Sequence, residues 1–480
     1  MWMIVAAAAS AALYMFGFAL DPIPWLVWVA PLPILLLAPR VGRGAAFSAG
    51  GIAWLVGGAK LWWYYVDTIQ LPIVLVVVMA VVTSAAFGGM ACLFRSLILR
   101  RRFVLAAVAA PAAWVGVEYA MYLVNYGAAG EWWSIAYTQA DLTWVTQIVS
   151  VTGIWGLTFV LMLAPAVIAT VAAPGAGGSA RTWIAVAGVL VVGGCVAFGA
   201  LRIAQADDGD GTVKVAALAL PASTDSIRVT KPEAKRLMRQ YDDAIGDLAD
   251  RGVTVVVLSE KIAYAKANEH SYLDKWRDIA KRHRIGVVAG MALGEGKTVH
   301  NVAAYFPADG GDPTIYRKNH LIPGLEDNWL AAGDTSVTVD VDGHRFGLAV
   351  CKDLDYSYPA SAYSGLVLAP AMDFQVDGWW HSRIAIVRAV EHGFGLARAG
   401  QWGHMTVSDR YGSVLSDGSR EAVASVRVDG EPTVYHRLGD WFAWLALAIT
   451  AVGIALAVRK RREASSESVP EDVAAGASPR

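Results

Sequence analysis

VTVVVLSE (253–260), TIYRKNHLIPGLE (314–326) and RFGLAVCKD (345–353) are the three stretches on which the reading of this chain turns. Each opens on an apolar, β-branched or aromatic run and passes into polar residues. Such runs, bounded by turn residues, read as buried strands. A reactive group stands at or just past the end of each: the Glu260 carboxylate, the Lys318 ammonium and the Cys351 thiol. Strand ends are where α/β sheets commonly place their sites. A thiol at a strand-to-turn junction, a carboxylate able to take its proton and an ammonium able to face a developing oxyanion together describe a cysteine nucleophile with its base and electrostatic partner.

Further short β-like runs surround these three: VKVAALAL, IGVVAGMAL, VHNVAAYF, TSVTVDV and GLVLAP. KPEAKRLMRQYDDAIGDLADRG and SYLDKWRDIAKRHR carry helical periodicity between some of them. Region 205–439 therefore reads as one α/β domain, long enough to bury a substantial core.

The rest of the chain has a different character. Of 480 residues, 56% are hydrophobic and only 17% charged, with a mean hydropathy of +0.43. These values suit a membrane protein that carries one water-facing domain. A net charge of -1 gives no basic field for nucleic acid. Of three cysteines, Cys92 and Cys195 lie in apolar runs, where cysteine behaves as a small hydrophobe. Cys351 has no partner for a disulfide in its own region. No Cys/His spacing suggests zinc, and the chemistry calls for no cofactor.

Seven apolar segments precede residue 210, near 2–19, 24–38, 45–65, 71–94, 103–124, 144–173 and 182–203, and an eighth covers 440–458. Most can cross about 30 Å of hydrocarbon as helices. The first lacks a basic leader and a cleavage site, so it reads as an uncleaved anchor. Arg40, Arg43, Arg95, Arg100, Arg101, Arg102, Arg181 and the Arg459–Arg462 cluster all fall on one side if the N-terminus is cytoplasmic. The 205–439 domain then faces outward. Domain organisation follows: a seven-span module (1–204), an extracytoplasmic catalytic domain (205–439), a last span (440–458) and a disordered cytoplasmic tail (459–480), polar and rich in Ser, Pro and Ala. Trp62, Trp63, Tyr64 and Tyr65, with Trp132 and Trp133, read either as an interface belt or as a lipid-facing rim beside the site. Glu118 within the fifth span either snorkels to the interface or serves function.

The order and contexts of Glu260, Lys318 and Cys351 resemble the carbon–nitrogen hydrolase (nitrilase) superfamily, most closely its membrane branch, the apolipoprotein N-acyltransferases. YRKNHLIPGLE is similar to that family's Tyr-x-Lys-x-His-Leu-Val-Pro-x-x-Glu, VHNVAAYF to its Tyr-Asn-x-Ala strand, RAVEHG to its Arg-Ala-Ile-Glu-x-Gly helix, and YTQADLTWVTQIVSVTGIWGLTFV to its sixth-span region. The likeness spans nearly the whole chain. Departures fall in the pocket: Leu258-Ser259-Glu260-Lys261 stands for Trp-Pro-Glu-Thr, Cys351-Lys352-Asp353 for Cys-Tyr-Glu, PAMDFQVDGWW for the Asn-Asp-x-Trp-Phe segment and RAGQWGHM for the Thr-Asn-x-Gly stretch. Arg398 and His404 are further polar candidates for that pocket.

The resemblance implies a four-layer αββα sandwich on a multi-span helical module. It implies catalysis by Glu260, Lys318 and Cys351, with Glu326 as a second active-site carboxylate. The implied partners are a phospholipid acyl donor and a lipoprotein acceptor, and the implied state is a membrane-embedded monomer. The altered pocket leaves room for a membrane-tethered amidase or nitrilase that uses water. A catalytically dead scaffold is a third possibility, and it predicts that Cys351 is dispensable.

Overall fold

The computed structural model describes residues 1–125, 130–131, 133–205, 211–221, 226–429 and 431–459. Expectations for Trp132, for the basic residues Lys460, Arg461 and Arg462, and for the tail after Arg459 lie outside the described residues.

Among the described residues, five helices are long and apolar enough to cross a bilayer: Ile73–Leu99, Phe103–Val124, Val149–Val171, Gly178–Ala204 and Trp441–Val458. The remaining expected spans are built differently. Trp2–Gly17 is a 16-residue apolar helix. Segment 24–38 is a chain of short pieces, Pro24–Val27, Leu32–Leu37 and a tight turn Ala38–Arg40, because its prolines remove donors and clash with the preceding turn. Segment 45–65 divides at Gly58 into Arg43–Gly57 and Ala59–Asp67. The Trp62 ring lies 2.7 Å from where a Cβ on Gly58 would stand, so only glycine fits that corner. Within Val149–Val171, Gly153 adopts φ 64°, a left-handed break that frees the N–H of Ile154.

One end of this bundle gathers arginines onto loop carbonyls. Arg40 donates to Ala172, Arg95 to Val41 and Arg181 to Ala173. Arg100 donates to the carbonyl of Arg459. The sheet domain docks at the opposite end. Tyr64 donates to Asp377 at 2.5 Å, Arg383 pairs with Asp141 at 2.7 Å, and the freed Ile154 N–H reaches Glu391 at 2.7 Å. Tyr64 is therefore a buried docking residue and Tyr65 is buried beside it, whereas Trp63, 68% exposed, suits the interface belt. Glu118 does not snorkel. It is buried, and its two oxygens accept from Trp114, the Ile135 N–H, Ser134 and Thr158 at 2.7–3.2 Å.

The domain comprises two sheets. Its strands are β1 (Thr212–Leu218), β2 (Val255–Leu258), β3 (Ala263–Ala265), β4 (Gly286–Glu295), β5 (Thr298–Phe306), β6 (Thr314–Arg317), β7 (Val337–Val341), β8 (His344–Leu348), β9 (Leu366–Met372), β10 (Gly395–Gln401), β11 (Met405–Ser408), β12 (Val414–Gly418) and β13 (Glu421–Arg427). The first sheet runs β13-β1-β2-β4-β5-β6, with β3 beside β4, and the second runs β12-β11-β10-β9-β8-β7. β1, β2 and β4 are mutually parallel, as are β8, β9 and β10.

The period-2 alternation of a strand sorts the side chains into layers. Val255 and Val257 of β2, with Leu366 and Leu368 of β9, fill the core between the sheets. Val256 and Leu258 face outward onto helices Pro232–Asp250 and Ser271–His283, whose Tyr241 and Trp276 are fully buried. Val367 and Ala369 face helix Gly378–His392 through Ala385 and Ala389. The sandwich is thus αββα. Its last helical layer is buried on both faces, since Trp380, Ile384, Val387 and Val390 pack into the helical module. Burying a Val, Leu or Phe side chain is worth about 1.5–3 kcal/mol each, so this shared helix locks domain to bundle.

Candidate active site

β2 ends at Leu258, and the two residues after it turn over the end of the second sheet. The Glu260 N–H donates to the Ala371 carbonyl at 3.2 Å. Lys261 takes φ 50°, turning the chain away. Next door, the Cys351 thiol donates to the Met372 carbonyl at 3.6 Å. Glu260 and Cys351 therefore hang from consecutive carbonyls of β9. Cys351 itself stands at φ 44°, just past β8, at the head of the tight turn Cys351–Asp355. A left-handed residue other than glycine costs of order 1–3 kcal/mol. This turn holds it because Asp353 is saturated: its oxygens accept from Val350 N–H, Tyr316 Oη–H, and the N–H groups of Asn319 and His320 at 2.7–3.1 Å.

Those last three donors flank Lys318. One buried carboxylate thus ties the Cys351 turn to the lysine loop. Pairing of β5 with β6 sets Val302 against Arg317, and the Lys318 N–H donates to the Asn301 carbonyl at 2.8 Å. Both side chains then enter one pocket. Lys318 Nζ lies 3.0 Å from Glu260 Oε1 and 2.8 Å from Glu326 Oε2. Asn301 Nδ2 donates to Glu260 Oε1 at 2.6 Å and to Glu326 Oε1 at 3.0 Å. Lys261 Nζ reaches Glu326 Oε1 at 3.0 Å. Among the described residues no donor bonds the second oxygen of Glu260.

All four charged groups are buried, and buried charge survives only when paired. Burial raises the Glu326 carboxyl, but the Lys318 and Lys261 ammoniums outweigh it and hold the group at about 2. Burial lowers the Lys318 ammonium, yet Glu260 and Glu326 overcome this and keep it well above the ordinary lysine range. The thiol of Cys351 goes the other way. Burial pushes it up and Glu260 adds to the effect, with Lys318 and Arg398 opposing. Cys351 is thus held as a thiol; any reaction through its sulfur would need a base to take that proton.

The structure brings Glu260, Lys318, Glu326 and Cys351 together. Arg398 is buried nearby and bonded to Asp373, whereas His404 is half-buried and pairs with Asp417. Three contributors carry weaker signals. Asn301 sits in a recognised strand, but its amide looked like any other. Asp353 sits where the family has glutamate and acts as a clamp. Lys261, noted in the sequence only as a departure from the family's threonine, is buried and pairs with Glu326. Among the described residues no cluster of His, Cys, Asp and Glu could hold a metal ion.

Two family descriptions match this chain in series. Residues 10–167 match the apolipoprotein N-acyltransferase N-terminal domain, and residues 214–431 match carbon–nitrogen hydrolase. An apolipoprotein N-acyltransferase of Geobacter metallireducens is 24% identical, with 95% of each chain covered. One of Haemophilus ducreyi is 22% identical over 92% of this chain and 93% of its own. The human omega-amidase NIT2 is 29% identical over 35% of this chain and 69% of its own. A solved amidase of Nesterenkonia sp. has 18% identity and a TM-score of 0.39, covering 48% of this chain and 94% of the amidase. The carbon–nitrogen hydrolase match covers the sheet domain, whereas the N-terminal match and the near full-length relatives include the helical module. This chain is a membrane protein and belongs to the apolipoprotein N-acyltransferases, within the nitrilase superfamily.

Proposed function

We propose that this acyltransferase moves a fatty acyl chain from a phospholipid, through a thioester on Cys351, to the N-terminal amine of a diacylglyceryl-cysteine lipoprotein. Glu260 takes the thiol proton. The thiolate attacks the ester carbonyl, and Lys318 with N–H groups of the Cys351 turn stabilises the tetrahedral oxyanion. The ester C–O bond breaks, and Glu260 returns the proton to the departing lysophospholipid oxygen. The acceptor amine then attacks the thioester. Glu260 accepts a proton from that nitrogen, the amide forms, and the Cys351 sulfur leaves and is reprotonated. Glu326 and Asn301 hold Lys318 and Glu260 in place.

One juxtaposition supports this above all: Glu260 and Cys351 on consecutive β9 carbonyls, with Lys318 Nζ 3.0 Å from the base. Leu325, Trp329, Val376 and Trp402 stand exposed on the loops after β6, β9 and β10. Such an apolar rim suits lipid substrates. The arginine-rich end of the bundle, opposite the domain, favours an extracytoplasmic site and a seven-plus-one span arrangement. The enzyme works as a monomer in the cell membrane.

The test is purified full-length enzyme in nanodiscs, given a phospholipid with an isotope-labelled acyl chain and a diacylated lipopeptide. Labelled amide on the lipopeptide, absent with Cys351→Ala, is the expected result. Labelled free fatty acid with no lipopeptide product would replace transfer by hydrolysis. For orientation, a membrane-impermeant maleimide on intact cells should label Cys351. Labelling only after lysis, with a C-terminal tag also accessible from outside, would reverse the topology.

A further inference from the structure

We infer that Lys261 is a positioning residue of this enzyme: it neutralises and holds Glu326, so that Lys318 remains available to Glu260 and to the reacting carbonyl. This deepens the reading above, on which it rests only for taking Cys351 as nucleophile and Glu260 as base.

The geometry is specific. Each Glu326 oxygen has two donors. Oε1 accepts from Lys261 Nζ and Asn301 Nδ2, and Oε2 from Lys318 Nζ and the Ile322 N–H, all at 2.8–3.0 Å. Lys318 is shared between two carboxylates, at 3.0 Å from Glu260 and 2.8 Å from Glu326. Without Lys261, the pocket would hold Glu260, Glu326 and a single ammonium, a net charge of -1 beside a thiol that must ionise. Lys261 brings that cluster to zero. Its own burial, to 4% exposure of the side chain, is compensated by the Glu326 carboxylate that meets it. The backbone cooperates: Lys261 occupies a left-handed conformation immediately after the base, which turns its side chain toward the loop that carries Glu326.

Removing the Lys261 charge has a definite electrostatic sign. The groups facing Glu260 and Cys351 are Lys318 after β6, Glu326 on its loop, Asp373 after β9 and Arg398 on β10, with the neutral Asn301 on β5. Deleting one cation leaves the carboxylates in excess, so thiol ionisation moves to higher pH. Glu326 also loses a donor and draws Lys318 toward itself.

The experiment is alkylation of Cys351 by iodoacetamide from pH 6 to 10, on full-length protein in detergent, followed by intact mass. It needs neither acyl donor nor acceptor, so its outcome is independent of whether lipid transfer is confirmed. Lys261→Met should lower the alkylation rate at pH 7.5 by about tenfold, a shift of about one pH unit in the profile. Lys261→Arg should restore most of it. The double variant Lys261→Met/Glu326→Gln, which removes one charge of each sign, should bring the profile back toward wild type. A Lys261→Met protein with the wild-type profile overturns the inference. If that variant does not fold, a folded double variant with a profile displaced to higher pH by a unit or more overturns it as well.

Discussion

Glu118 and Glu260 are both fully buried glutamates, one in the helical module and one at a strand end, and their surroundings differ in one respect. Glu118 has both oxygens filled by neutral donors from its own helix, from the 134–135 turn and from Val149–Val171. It braces three segments and has no lone pair to spare. Glu260 has one oxygen gripped by Asn301 and Lys318 and the other without a donor among the described residues. A saturated buried carboxylate is a structural brace, whereas one left half-open beside an ammonium and a thiol is poised for proton transfer.

Four substitutions can break or sharpen this contrast. The largest effect belongs to the thiol beside Glu260: Cys351→Ala should reduce acyl transfer by about 10^4-fold or more, with thermal stability and membrane insertion unchanged. Residual transfer near the wild-type rate would remove the thiol from the chemistry. Glu260→Gln keeps the shape but not the basicity, and should slow thioester formation by about 10^2–10^4-fold in single-turnover assays. Normal formation would mean that another base serves the thiol.

Glu118→Ala should do the opposite. It strands donors in a dry site and should cost about 3 kcal/mol, read as a fall in melting temperature, while Cys351 in the folded fraction alkylates at the wild-type rate. Lost thiol reactivity in stable protein would erase the distinction drawn above.

The smallest effect concerns the docking seam. Burial raises the Asp377 carboxyl, but His381 outweighs it, with hydrogen bonds from His381 and Tyr64, and holds the group at about 2. A carboxyl depressed in the folded state stabilises it fully above the ordinary value near 4, and that stability is lost as pH falls through about 2. Asp377→Asn should therefore cost about 2 kcal/mol at neutral pH and nothing at pH 2. Denaturation curves that stay parallel from pH 7 to pH 2 would contradict the pairing.

Much of this was legible in the residues. Glu260, Lys318 and Cys351 announce themselves because each interrupts or follows an apolar run, and a charge at the end of a strand core needs a reason. The long spans were equally plain. The broken ones were less so: Pro24, Pro31 and Pro33 mark the second segment as short with loose bounds, but hydropathy does not register that Gly58 divides the third. Glu326 came only through the family resemblance, since a glutamate on a polar loop looks solvated. Lys261 and Asp353 were misjudged or passed over for the same reason: their partners lie at a distance in sequence, 65 residues away for Lys261 and more than 30 for the Tyr316 and His320 groups that bind Asp353. Local pattern carries no trace of which loops a sandwich will bring together. Tyr64 sits in an aromatic run that hydropathy assigns to an interface, and only the docked domain reveals its partner, Asp377.

The central claim is that Cys351 carries the acyl chain. Intact-mass measurement of the purified enzyme after incubation with phospholipid bilayers and no acceptor tests it most directly. One added fatty acyl mass, mapped to Cys351, released by neutral hydroxylamine and absent from Cys351→Ala, is the predicted result. An unmodified Cys351 in enzyme that transfers the chain once lipopeptide is added, with the acyl group found on another residue or on none, would contradict it.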